Sequence, residues 1–172
     1  MGKKIAFILP SLRQGGSEKV FSNLVKNWSS NDYCKLIVIE SFTGKDLKRF
    51  GLQDANVISI GKDRVLFSFF PLFRTIKKEK FDVVFSTLTH LNMLVLLVSF
   101  FLKVKVIIRE SSVPTVNQRF IKNPSFYNLL IRILYKKAKK IICQSNDIKQ
   151  ELLDKYHLPA DNMHVINNPI TI

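Results

Sequence analysis

A chain of 172 residues, 47% of them hydrophobic, is sized for one compact domain with a sizeable core, and that composition excludes disorder. Twenty-seven basic residues against 13 acidic ones give a formal charge of +14, which points to an anionic partner or surface. Cys34 and Cys143 lie in apolar runs without metal-ligand spacing and read as reduced core residues of a cytosolic protein; the pair permits a disulfide, but nothing requires one.

The chain opens on Met1-Gly2-Lys3-Lys4, which looks like the charged start of a secretion signal, yet the apolar stretch stops at Pro10. Ala6 stands where a myristoylation pattern needs serine or threonine. Residues Lys3 to Leu9 therefore read as a first strand. A loop, Arg13-Gln14-Gly15-Gly16-Ser17, leads from it into a helix from about Ser17 to Trp28 whose apolar face is Val20, Phe21, Leu24, Val25 and Trp28. Two readings of the glycine pair stand side by side. Side-chain-free residues let the backbone approach a phosphate at the amides and positive dipole of Ser17 to Lys19. Alternatively the glycines only make a tight turn, with Ser17 as its cap.

Further strands are expected at Lys35 to Glu40, Asn56 to Ile60, Asp82 to Thr87, Val104 to Arg109, Lys140 to Gln144 and Met163 to Asn167. Unbroken apolar runs such as Leu36-Ile37-Val38-Ile39 imply burial on both faces, as in a parallel sheet. Helices at about Pro71 to Lys78, Leu91 to Leu102, Pro124 to Lys137 and Asn146 to Tyr156 supply the crossovers, and the segments 41–55 and 111–123 read as long loops. The fold class is therefore α/β: a doubly wound, mainly parallel Rossmann-like sheet of seven strands with helices on both faces, binding its ligand at the strands' carboxyl ends. Met93 to Leu102, the most hydrophobic run, is too short to cross a bilayer.

Four positions fall on that ligand rim. Beside Gly15-Gly16 there is His90, in Thr87-Leu88-Thr89-His90 at the end of strand four; it suits proton exchange with a substrate and equally a plain polar helix start. Arg109-Glu110 ends strand five, where Arg109 suits a bidentate grip on phosphate or carboxylate, or the two charges make ion pairs within the loops. Asn167-Asn168-Pro169 suits a hinge. Glu40 stands where a dinucleotide-binding domain places its ribose acid, but a fingerprint of three glycines is missing. Walker, nucleophile-elbow and metal-ligand patterns are also missing.

Gly15-Gly16-Ser17-Glu18-Lys19-Val20 resembles the Gly-Gly-Ala/Ser-Glu-Lys/Arg-Val signature that opens the family 4 (group 1) glycosyltransferases. Further on, His90-Leu91-Asn92 is similar to that family's His-Ala-Asn, with alanine replaced, and Arg109-Glu110-Ser111 to its Arg-Glu-Ser element. Gln144-Ser145-Asn146 matches the strand-Ser-helix step, and Val165-Ile166-Asn167-Asn168-Pro169-Ile170-Thr171 the close of the first domain. The resemblance covers essentially the whole chain.

It implies the first, acceptor-side domain of an enzyme with two facing Rossmann-like (GT-B) domains. Such enzymes move sugar from a nucleotide-sugar donor to an acceptor hydroxyl with retention, without metal or other cofactor. By position, Gly15, Gly16 and Ser17 approach the donor phosphates and His90 is the catalytic candidate. Arg13, Arg109 and Glu110 are candidates for acceptor or phosphate contacts, and Asn168 with Pro169 for the interdomain hinge. Residues 1–172 then form one domain, lacking the second, nucleotide-binding domain with its two glutamates eight positions apart, and are expected to fold but not to transfer sugar.

The acceptor implied is a glycan, a lipid-linked sugar or lipopolysaccharide, at the inner face of the cell membrane. The basic segments Arg74, Lys77, Lys78, Lys80 and Arg132, Lys136, Lys137, Lys139, Lys140, interleaved with aromatics, suit peripheral binding to anionic lipid by a cytoplasmic protein; lysines at helix ends are also ordinary solvated partners of helix C-termini. A non-enzymatic Rossmann-like module for nucleotide or phosphate, or a partner subunit, is the alternative. Nucleic acid is not an expected partner, since no recognition motif accompanies the charge.

Overall fold

The computed structural model describes residues 2–13, 15–28, 31–116, 121 and 123–168. All seven expected strands form: β1 (Lys4–Leu9), β2 (Tyr33–Val38), β3 (Val57–Ser59), β4 (Val83–Thr87), β5 (Lys105–Glu110), β6 (Lys140–Cys143) and β7 (Met163–Val165). They pair in parallel in one sheet of order β3-β2-β1-β4-β5-β6-β7. The helices are α1 (Gly16–Lys26), α2 (Gly44–Phe50), α3 (Phe69–Glu79), α4 (Thr89–Ser99), α5 (Pro124–Leu134) and α6 (Asn146–Asp154).

The pleat of the central strand divides the core in two. Ile5, Phe7 and Leu9 face one side, where Phe21 and Val25 of α1 and Leu47 of α2 cover them. Ala6 and Ile8 face the other, against a larger cluster built from Leu72 and Ile76 of α3, Leu91 to Val98 of α4, Ile131 of α5 and Leu152 of α6. Alternate residues of one strand thus feed two cores, which is why the unbroken apolar runs mark strands buried on both faces.

One segment expected as loop is a helix. Within residues 41–55, α2 is started by Thr43, whose N–H donates to the Asp46 carboxylate at 2.8 Å, and is stopped by Gly51 in the left-handed conformation (φ 63°). Only Leu47 of its seven residues is buried, so the helix lacks the apolar periodicity that reveals longer ones. Elsewhere the ends move by a few residues. Both cysteines are free thiols, and their strands, β2 and β6, are separated by β1, β4 and β5. Four inter-strand steps make roughly 19 Å, too far for a disulfide.

Candidate functional site

Strand order reverses between β1 and β4: from β1 the chain moves outward to β2 and β3, and from β4 the opposite way to β5, β6 and β7. The loops leaving β1 and β4 therefore diverge at the sheet's carboxyl edge, where such sheets place their ligand crevice; Gly15-Gly16 follows β1, His90 follows β4, Arg109 lies near the end of β5 and Asn168 follows β7.

Neither glycine of the first loop has a positive φ; Gly15 is extended, at φ −119° and ψ 163°. The backbone course alone does not call for glycine at either position, so what remains distinctive is space. A Cβ on Gly16 would meet nothing within 4 Å, whereas one on Gly15 would run into the Glu18 carboxylate, folded back over the start of α1. The acid sits where the helix dipole favours negative charge. Ser17 is buried and its hydroxyl is turned inward, accepting from Arg109 Nη1 at 3.1 Å and lying 3.4 Å from Thr87 Oγ1. Arg13 reaches across the rim to Glu40 at 3.0 Å, so the acid at the end of β2 is ion-paired rather than free for a ribose.

At the end of β4, Leu88 turns the chain at φ 71° and ψ 129°, a conformation costly for a leucine by about 1–3 kcal/mol. Its carbonyl accepts from Asn92 N at 2.8 Å, so α4 begins without a spacer and carries His90 as its second residue. His90 borders a pocket of about 320 Å³ with Leu88, Thr89, Ser112, Ile121 and Tyr127. Desolvation by these walls lowers its pKa, so the ring is neutral at physiological pH and can accept a proton.

Arg109 and Glu110 are consecutive in β5, so the pleat sends them to opposite faces. Arg109, 7% exposed, ties four segments together: Nη1 donates to Ser17 and Thr87, both at 3.1 Å, and Nη2 to Asn168 Oδ1 at 2.6 Å. With its amide oxygen turned toward the guanidinium, Gln144 accepts from Nε at 3.3 Å. Burial lowers the Arg109 pKa and the charge of Glu110 opposes that shift.

Glu110 is fully buried. Its carboxylate accepts from Thr89 Oγ1 at 3.0 Å, from Asn92 Nδ2 at 2.7 Å and from the Tyr135 hydroxyl, while Asn92 Oδ1 accepts from Ser86 Oγ at 2.7 Å. Burial outweighs these bonds and raises its pKa from 4.5 to about 7. The carboxylate expected at a ligand thus faces protein groups instead and clamps α4 and Tyr135 to β5. Asn168 belongs to the Arg109 cluster; Pro169, expected beside it at the hinge, lies outside the described residues, as does Gln14.

Thr87, Thr89, Tyr135 and Gln144 complete the arrangement; in the sequence Thr87 and Thr89 stand only as neighbours of His90, and Tyr135 carries no signal. The spacing between Thr89 and Tyr135 has no local signature, because only the sheet brings them together. Asn92 and Gln144 were visible only inside the resembling motifs. Among the described residues no group of three His, Cys, Asp or Glu side chains is placed to hold a metal.

The chain is similar in fold to a glycosyltransferase from Rickettsia africae (TM-score 0.69, 18% identity), covering 96% of this chain and 43% of that one. It is also similar to Anabaena HepE in complex with UDP and glucose (0.72, 13%, covering 98% and 45%) and to the S. aureus MnaA-UDP structure (0.71, 17%, covering 96% and 44%). It thus spans less than half the length of these structures. No curated protein sequence is significantly similar to it. The class defined by this sheet order and its neighbours is one Rossmann-like half of the GT-B architecture. Within that class, the family model described as Glycosyltransferase Family 4 matches residues 14–172, and the chain belongs to that family.

Proposed function

We propose that the chain is the acceptor-side domain of a retaining glycosyltransferase, in which an acceptor hydroxyl replaces the nucleoside diphosphate at the anomeric carbon of the donor sugar. The observation that carries this reading is the reversal of strand order between β1 and β4, whose outgoing segments carry Gly16, with open space where a Cβ would stand, and His90. Gly15 and Gly16 form the wall met by the donor diphosphate, and Glu18 gives way as that anion arrives. His90 stands beside the transferred sugar. Arg109 acts as a positioning residue, fixing Ser17, Thr87 and Asn168 so that the glycine loop and the hinge segment keep one geometry. A second Rossmann-like domain supplies the nucleotide pocket, so residues 1–172 alone do not transfer sugar. UDP and UDP-glucose are the natural first probes, because similar structures are described as complexes with them.

The acceptor is a glycan or lipid-linked sugar, met at an anionic membrane on the cytoplasmic side. Support comes from one face of the molecule. Phe69 contacts Phe70 and Phe101 at ring-centroid distances of 5.2 and 6.1 Å, and Leu66, Phe67, Phe70 and Phe101 are all at least 65% exposed. Lys137 lies over Phe100 at 4.9 Å and Lys77 over Phe73 at 5.8 Å. Apolar rings with ammonium groups at their edges suit shallow insertion among anionic headgroups. Among the described residues no helix is long and apolar enough to cross a membrane.

The test is titration of the chain with UDP, followed by amide NMR. Weak binding with shifts confined to residues 15–19 and the β4–α4 corner is expected, and no transfer from UDP-glucose to any acceptor. Submicromolar UDP binding by this chain alone would instead favour the non-enzymatic binding module, and measurable transfer would overturn the need for a second domain.

A further inference from the structure

A second concavity lies away from the carboxyl edge of the sheet. A groove of about 800 Å³ runs between α1 and α2, lined by Lys19, Asn23 and Lys26 on one side and by Lys48, Arg49, Phe50 and Gly51 on the other. Lys19, Asn23 and Lys26 are spaced four and three residues apart, so they form one stripe along the helix, and that stripe faces the basic end of α2. Of the four cations only Arg49 has an ion-pair partner among the described residues, Asp46 at 3.4 Å. No carboxylate lines the groove.

Lysines in the last turn of a helix complement its dipole, which accounts for Lys26, Lys48 and Arg49 as separate residues. It does not account for Lys19, which lies in the first turn of α1, where a cation opposes the dipole. Nor does it explain why two helices turn their cations toward each other across an open groove, an arrangement that repels until an anion enters it. From Lys19 to Lys26 the stripe spans about 10 Å along the helix axis, longer than one phosphate. The groove also has an apolar wall, the partly buried ring of Phe50.

We infer that this groove binds a linear acidic glycan, its carboxylate or phosphate groups along the lysines and one sugar face on Phe50. The inference rests on the proposed function and sharpens it: Lys19 is one helical turn from the Gly15-Gly16 loop, so a growing chain whose end lies in the crevice continues down α1 into the groove. The acceptor is then anionic, and its distal units are held here while its terminal hydroxyl is held at the crevice.

The test is calorimetric titration of the full chain at low salt with a galacturonic acid hexamer, with amide NMR to locate the contact. Binding is expected with shifts at Lys19, Asn23, Lys26 and residues 48–51. The double variant Lys19→Ala/Lys48→Ala should lose tenfold or more in affinity. Lys103→Ala/Lys105→Ala, which removes equal charge elsewhere, should lose less than twofold. Equal losses in the two variants, equal binding of a neutral maltohexaose, or tighter binding of a thymidine hexanucleotide would overturn the inference. Saturation of the groove by inorganic pyrophosphate without any response to the hexamer would also overturn it, leaving a phosphate site. UDP shifts at residues 15–17 and the β4–α4 corner report on the crevice separately: their absence with hexamer binding intact would count against the transferase reading alone.

Discussion

Glu110 shows how far a residue's role departs from its appearance in sequence. Beside Arg109 it looks like half of a charged ligand-binding pair, yet the pleat of β5 drives it into a closed network of Thr89, Asn92 and Tyr135. Its pKa, raised from 4.5 to about 7, makes the folded protein hold a proton that the unfolded chain releases between those values. This contribution to stability is therefore complete below about pH 4.5 and is lost as pH rises to and through 7. A shift of that size corresponds to about 3 kcal/mol. Glu110→Gln keeps an acceptor oxygen for Tyr135 and Asn92 but does not titrate. Urea denaturation of both proteins at pH 5 and pH 8 should show the wild type losing about 2.5 kcal/mol more than the variant across that interval, because part of the loss already occurs below pH 5. Equal pH slopes would mean that the buried carboxyl is ionised throughout.

At the level of elements, the β1–α1 loop separates what the fold needs from what a ligand needs. Because Gly16 is the first residue of α1, with open space where a Cβ would stand, Gly16→Ala should leave thermal stability unchanged or raise it by up to about 1 kcal/mol. The same methyl group occupies the diphosphate's approach, so UDP-induced NMR shifts should weaken several-fold. A variant that lost stability and kept its UDP response would assign the glycine to folding instead. The opposite case is Leu88, where the backbone is strained and the side chain is not one that relieves it. Apolar runs made the strands legible, while the sharp β4–α4 corner was not, since a positive φ at leucine leaves no trace in composition. The short helix α2 did leave one, in Thr43, Asp46 and Gly51, but too little of it is buried for a periodicity to appear.

For the whole molecule, the excess charge has little internal use. Among the described residues the ion pairs are Arg13–Glu40 and Arg49–Asp46, so most of the 27 cations face outward. Some of them border two different surfaces, the aromatic face beside α3 and α4 and the groove of α1 and α2, which lie over opposite sides of the sheet. A membrane held at the first face thus leaves the groove free for a chain in solution. Cosedimentation with phosphatidylglycerol vesicles should exceed that with phosphatidylcholine at low salt, and fall as salt rises. Phe67→Ser/Phe101→Ser should reduce it by about tenfold or more without loss of fold, since both rings are already exposed. Equal binding to both lipids, or no effect of the double variant, would remove the membrane from the proposal.

The sequence by itself determined the parallel sheet, its seven strands and the family, because strand burial and strand-to-helix loops are written in local order. Only the tertiary structure decided which side chains are available to a ligand. It drew Ser17, Thr87, Gln144 and Asn168 onto Arg109, sealed Glu110 behind Tyr135 and set Lys19 opposite Lys48. The physical reason is common to all three: they depend on strand order and pleat, which bring together residues up to 92 positions apart and separate neighbours, and no local pattern encodes that.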